Sequence, residues 1–179
     1  MHTNSINLFN KYAAEIFSRD KTVLEVGPDR FPSTYQQLVH GKYSLWHTLD
    51  IRDQDRLTYC HLPKTEFPAP KDTYDIVLSG QVLEHVPAIW DWITDLASAC
   101  KPGGKVIIIA PTNWPYHEAP FDCWRVFPDG MRALFDLAKL KVQFVACESE
   151  SGEAVESAGN NFVGFTRSIF DTLTIGVKQ

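Results

Sequence analysis

The run Val106-Ile107-Ile108-Ile109 is the feature that most narrows the fold. Consecutive β-branched residues leave no polar face for water, so a strand built from them is buried on both sides. That is the situation of a strand inside a parallel sheet, with helices on each face. The residues just before it, Lys101-Pro102-Gly103-Gly104, read as the stop of a helix: a cation near its end, then proline and glycine.

The rest of the chain fits that frame. Ser5 can cap a helix, and Ile6, Phe9, Ala13, Ile16 and Phe17 follow at helical spacing, which predicts a helix over 5–18 covering one edge or face of the sheet. Strands are expected at 22–26, 43–49, 74–79 and 105–110, with a weaker one at 57–62. Between them, 33–38 reads as a short helix stopped at His40-Gly41. Pro63, Pro68 and Pro70 force an extended connection. Ile89, Ile93, Leu96, Ala97 and Cys100 keep helical spacing after Pro87. Pro128 opens another helix, with Met131, Leu134, Phe135 and Ala138 on one face. Strands at 141–147 and 161–166 are expected to close the chain, separated by an exposed polar loop over 148–160. Strand and helix in alternation mean an α/β doubly wound fold, read as a single domain over 1–179.

Composition bounds the function. The chain has 179 residues, 44% hydrophobic and 22% charged, as an ordinary globular protein does. A net charge of -5 and the lack of a dense Lys/Arg run argue against nucleic acid as a partner. Cys60, Cys100, Cys123 and Cys147 are scattered without a CxxC pair, so they read as free thiols in a reducing compartment. The first residues lack a basic region followed by an apolar core, and no apolar run is long enough to span a bilayer. A cytoplasmic protein without a membrane partner is expected; the oligomeric state is not legible.

Val23-Leu24-Glu25-Val26-Gly27-Pro28 carries the first chemical signal. An ordinary core strand does not need an acid at its end, whereas ligands of open α/β sheets bind in the crevice beyond the strand ends. Asp50 ends the second strand about 20 residues past Gly27, the spacing of a ribose-binding acid in nucleotide-binding βαβ units. This reads as a turn that holds a nucleoside cofactor. The plainer alternatives are a salt-bridged strand end for Glu25 and a helix cap for Asp50. His85, following Glu84 at a helix entrance, reads as structural.

These pieces stand in a fixed order: 23–28, Asp50, then 74–79 with Val82-Leu83-Glu84-His85-Val86, then 96–104 leading into 105–111. Together they resemble the class I S-adenosylmethionine-dependent methyltransferases, in particular the type-11-like group, over 23–147. The proline-bearing approach at 67–75 is similar to that group's as well. The resemblance implies a Rossmann-like seven-stranded doubly wound sheet with its last strand antiparallel. It implies S-adenosyl-L-methionine as cofactor, across the ends of strands one, two and four. Glu25 and Gly27 would face its methionine end. Asp50 would accept from the ribose hydroxyls, with Ile51 beside it. Ser79, Gly80 and Gln81 would line the crevice near the methionine or the transferred methyl. Two departures stand out. Asp29 and Phe31 replace two glycines of the family's turn, and 60–63 lacks the acid that often recognises adenine. The first is physically tolerable. This cofactor has no phosphate and carries a sulfonium and an ammonium, so one glycine with acids nearby suits it, whereas a dinucleotide's pyrophosphate wants GxGxxG.

Residues 111–127 should meet the acceptor. They follow the fifth strand at the ligand end of the sheet and hold Trp114, Tyr116, Phe121, Trp124 and Phe127, stiffened by Pro111, Pro115 and Pro120. Rigid aromatics with a few polar groups are what a small-molecule pocket uses. Related methyltransferases often carry a similar His…Pro…Asp…Arg run, some of them acting on sugars and other small metabolites. If the acceptor is a hydroxyl or ammonium, a base must take its proton. His117 is the first candidate, then Glu118 and Asp122. Arg125 can pair with an acidic substrate group or clamp Asp122, and Trp124 can anchor the loop. No second histidine lies near His117 in sequence, which argues against a metal there. The expected function is methyl transfer to oxygen or nitrogen of a small-molecule acceptor. The alternative is a non-catalytic cofactor-binding or partner subunit of the same fold.

Overall fold

The computed structural model describes residues 2–62, 65–118, 120–154 and 169–179. The chain runs α1 (Thr3–Tyr12), β1 (Thr22–Val26), α2 (Thr34–Leu38), β2 (Leu45–Asp50), β3 (Tyr59–Cys60), β4 (Tyr74–Gly80), α3 (Ile89–Ala99), β5 (Cys100–Asn113), α4 (Pro128–Leu137), β6 (Leu140–Ser149) and β7 (Phe170–Lys178). The seven strands form one sheet in the order β3-β2-β1-β4-β5-β7-β6. Pairings among β1 to β5 are parallel, and β7 runs antiparallel to both β5 and β6. The expected α/β architecture, with the last strand antiparallel, is therefore the one observed.

The β-branched run of β5 behaves as its composition requires. Val106 and Ile108 enter one core with Trp92, Ile93 and Leu96 of α3 and Met131 and Phe135 of α4. Ile107 and Ile109 enter the opposite core with Leu8 and Phe9 of α1, Phe17 and Tyr35. Side chains alternate across a strand, so one run feeds both layers. α1 lies against β7 and β5, and its aromatics pack in the core.

Several boundaries differ from the expected ones. The first helix ends at Tyr12 and is followed by a 3-10 turn, Ala14–Ile16. The third strand shrinks to Tyr59–Cys60. Lys101–Gly104 is a bulge inside β5, because Tyr74 pairs with Cys100 and Ile76 already with Lys105, with Gly103 at φ 78. The strand expected at 161–166 lies outside the described residues. β7, not expected from the sequence, occupies the antiparallel position. Connections leave β1 toward one side of the sheet and β4 toward the other, so a crevice opens between their carboxyl ends, where open α/β sheets bind ligands.

Candidate active site

The floor of that crevice is the β1 turn. Gly27 has φ 74, and its amide donates to the Leu49 carbonyl over 2.8 Å. A Cβ there would sit 2.2 Å from Val82 Cγ2, so glycine is required both by the backbone and by the segment that follows β4. The close approach at Gly27 is thus made by the chain itself. Gly80 is similarly covered, with Tyr35 Oη 2.3 Å from where its Cβ would be. Ser79 Oγ donates to the Val26 carbonyl over 3.0 Å and ties the ends of β1 and β4 together. Gln81 adopts φ 60, and its amide side chain donates to Asp171 Oδ1 over 3.0 Å.

Asp29, which replaces a family glycine, has a local task. It accepts from the Thr34 amide at 2.8 Å and the Thr34 hydroxyl at 2.7 Å, fixing the entry to α2. Ser33 caps that helix by accepting from the Gln36 amide, and its hydroxyl donates to Glu25 Oε2.

Glu25 is 1% exposed. Its Oε2 also accepts from the Trp46 indole N–H at 2.9 Å, while Oε1 is buried without a partner. Burial pushes this carboxyl up to about 7, against which the Ser33 and Trp46 donors work only in part. Asp50 ends β2. It holds a turn and caps no helix: its Oδ1 accepts the Arg52 amide at 3.0 Å. Ile51 beside it is 46% exposed, an apolar surface at the rim. This donor set fits S-adenosylmethionine. It supplies an unpartnered carboxylate oxygen and a second acid at adjacent strand ends, without a phosphate cradle.

Residues that the sequence reading passed over sit on the β4 and β7 side. Asp171 is fully buried and accepts from Asn4 Nδ2 at 2.7 Å as well as from Gln81. Burial raises its carboxyl to about 7. His2 Nε2 lies 3.4 Å from Asp171 Oδ1, and its ring stacks on Trp114 with centroids 4.4 Å apart. Glu84 follows β4 in a 3-10 turn, Leu83–His85, and is 1% exposed with neither carboxylate oxygen hydrogen-bonded. Burial raises it to about 7 too. The acid–histidine pair after an apolar strand was visible in the sequence; Asp171 was hidden because its strand was not expected.

The 111–127 segment is held by its own polar groups. Arg125 pairs with both oxygens of Asp122, at 2.5 and 2.8 Å, and donates to the Trp114 carbonyl from Nε and Nη2. The guanidinium holds the Asp122 carboxyl well below the usual carboxylate range. Asp122 also accepts the His117 amide at 2.7 Å. Trp124 donates its indole N–H to the Val86 carbonyl at 2.8 Å and packs against the core. Of the two roles considered for Arg125 and Trp124, the clamp and the anchor are therefore the contacts present. Trp114, Tyr116, Asp122, Cys123, Trp124 and Arg125 line a shallow depression. Tyr116 is 73% and Phe121 55% exposed, and Tyr116 donates to the exposed Glu118 at 2.8 Å. His117 meets His85 edge to face, with centroids 4.8 Å apart.

Among the described residues no helix is long and apolar enough to cross a membrane. Comparison with known proteins bears on the same architecture. An S-adenosylmethionine-dependent methyltransferase from Mesorhizobium loti superposes with a TM-score of 0.67 at 12% identity, covering 98% of both chains. A Haemonchus contortus phosphoethanolamine N-methyltransferase, solved in complex with S-adenosyl-L-methionine, gives 0.63 at 13% identity over 97% of this chain and 52% of its own. An uncharacterized methyltransferase of Mycobacterium bovis, Mb0229c, is 40% identical over 47 residues, 26% of this chain. The chain spans 4 to 18% of the length of the curated relatives it matches. Residues 6–146 match a family model described as a methyltransferase domain, and the chain belongs to that family of methyltransferases.

Proposed function

We propose that this domain transfers a methyl group from S-adenosylmethionine to an oxygen or nitrogen of a small-molecule acceptor. The observation that carries the cofactor site is the buried, unpartnered Oε1 of Glu25 at the end of β1. A buried carboxylate oxygen left without a partner is costly until a cation or donor meets it. Glu25 and Gly27 would hold the methionine end, Asp50 and Ile51 the ribose side, and Ser79, Gly80 and Gln81 the wall of the crevice. When bound, the cofactor supplies a methyl group on a sulfonium, a good leaving group for in-line displacement.

The protein's task is then to orient the acceptor and to take its proton. Orientation alone can supply several kcal/mol, roughly 7–11 in the best cases. Trp114 and the exposed rings of Tyr116 and Phe121 offer flat apolar surface for a small acceptor. The Asp122–Arg125 pair fixes the backbone that carries them. His117 is the proton acceptor in this reading. Its Nδ1 lies 3.2 Å from the Pro115 carbonyl, which leaves Nε2 with the lone pair. The ionised Asp122 beside it, 3.5 Å from Nδ1, would stabilise the imidazolium that forms. Glu118 is a second, more exposed carboxylate at the rim. A net charge of -5 favours small molecules over nucleic acid as acceptors.

Calorimetric titration with S-adenosylhomocysteine, followed by a product-release assay across hydroxyl and amine acceptors, tests this. One-to-one binding and turnover with a small acceptor are expected. No binding would sink the cofactor site, and binding without turnover on any acceptor would favour a non-catalytic member of the fold.

A further inference from the structure

We propose that Glu84, His85 and His117 form a site for a divalent cation of the zinc class at the carboxyl end of the sheet, between β4 and β5. One ligand atom from each lies within 4.8 Å of the others. His85 Nε2 is already 3.7 Å from Glu84 Oε1. An ion of this class sits about 2.0–2.2 Å from nitrogen and oxygen donors, so donors sharing it lie roughly 3–4 Å apart. Closing the widest gap takes about 1 Å, within reach of the His117 side chain, which is 37% exposed.

Three independent features point to a ligand here. First, Glu84 is 1% exposed and neither of its carboxylate oxygens has a hydrogen-bond partner. The chain has committed a fully buried acid to this spot without pairing it, which a cation would correct. Second, both imidazoles are oriented from behind. Nδ1 of His85 meets the Phe121 carbonyl at 2.5 Å, and Nδ1 of His117 meets the Pro115 carbonyl at 3.2 Å. Each contact places the proton on Nδ1 and the lone pair on Nε2, the outer-shell arrangement of metal-bound histidines. Third, the two loops are stitched at the site itself: the Glu84 carbonyl accepts the Cys123 amide at 2.7 Å and the Trp124 amide at 3.3 Å. The ligands therefore come from segments held in register.

Two imidazoles and one carboxylate suit zinc, iron(II), cobalt or nickel. Magnesium and calcium prefer all-oxygen sites. Three protein ligands leave open coordination positions. Their use rests on the proposed methyl transfer: an acceptor oxygen on the ion would lose its proton to solvent at lower pH. The ion would then occupy the His117 lone pair, and with the acceptor proton lost to solvent no proton acceptor at His117 is needed. Binding of the cation itself does not depend on that reaction.

The test uses the full chain, stripped with a chelator that is then removed, and titrated with Zn²⁺ by calorimetry and with Co²⁺ by visible absorption. One equivalent of Zn²⁺ is expected, together with cobalt d–d bands lacking a thiolate charge-transfer band. Affinity should fall by about tenfold or more in Glu84→Gln and in His117→Ala. Circular dichroism and S-adenosylhomocysteine binding, measured on the same variants, show that they are folded and that the cofactor site is intact. Absence of stoichiometric Zn²⁺ binding overturns the proposal. So does unchanged affinity in both folded variants, or a thiolate band that disappears in Cys123→Ser. Metal binding without S-adenosylhomocysteine binding would leave the cation site standing and remove the reading of its role.

Discussion

The Trp46 indole N–H donates to Glu25 Oε2 over 2.9 Å, and the other oxygen of that carboxylate is buried without a partner. Two adjacent parallel strands thereby fix an acid at the floor of the crevice and leave half of it unanswered. Because burial holds Glu25 at about 7, it is partly protonated at neutral pH until a cation arrives. Cofactor affinity should therefore rise with pH between 4.5 and about 7, and binding should release a proton. Titrations in buffers of different ionisation enthalpy check this.

Ligand-free stability should run the other way. Glu25 and Glu84 are raised from 4.5 to about 7, and Asp171 from 3.8 to about 7, each by burial. Between those values the folded chain binds more protons than the unfolded one, so stability is fullest at the acid end and falls as pH rises through 7. Asp75 leaves that slope unchanged: although burial works against it, the Thr22 amide and hydroxyl and Lys101 keep it at about 2. The melting temperature of the ligand-free protein should drop from about pH 5 to about pH 8. Glu84→Gln should flatten the slope.

Gly27→Ala should cost about 1–2 kcal/mol for the left-handed backbone, and about 1–3 more for the collision with Val82. Urea unfolding of the single variant and of Gly27→Ala with Val82→Ala separates the two. The double variant should recover the collision part alone.

Asp50→Ala should weaken S-adenosylhomocysteine binding by about 1–3 kcal/mol, from lost hydrogen bonds to a charged acceptor. Unchanged affinity in a folded variant would mean that the Arg52 turn contact is all that Asp50 does.

His117→Ala should lower turnover more than cofactor affinity, because its ring belongs to the 111–127 segment proposed to receive the acceptor, where it meets His85. Arg125→Ala should loosen the loop, seen as faster amide exchange at His117, whose N–H is held by Asp122. Equal exchange in both proteins would contradict the clamp.

Much of the fold was legible because its signals are local. The β5 run, the Gly27 turn and the stripe of α3 each depend on near neighbours, and each appears where it was expected. Boundaries failed where tertiary pairing decides. Gly103 looked like a helix stop, but register with β4 draws it into a bulge. β7 could have been found from Thr172, Leu173, Thr174, Ile175 and Val177, a run rich in β-branched residues near the end of the sequence. Missing it hid Asp171. The candidate site residues at strand ends follow from position alone. The meeting of His85 with His117 does not, since only the fold brings the turn after β4 under the loop after β5. Sequence spacing could not see that contact.

Calorimetric titration of S-adenosylhomocysteine into the native protein and Glu25→Gln at neutral pH tests the cofactor site most directly. One-to-one binding to the native chain is predicted, weakened about 10–100-fold in the variant, with its pH dependence lost. No binding to the native protein, or equal affinity and equal pH dependence in both, would contradict the assignment of the β1 turn as the methyl-donor site.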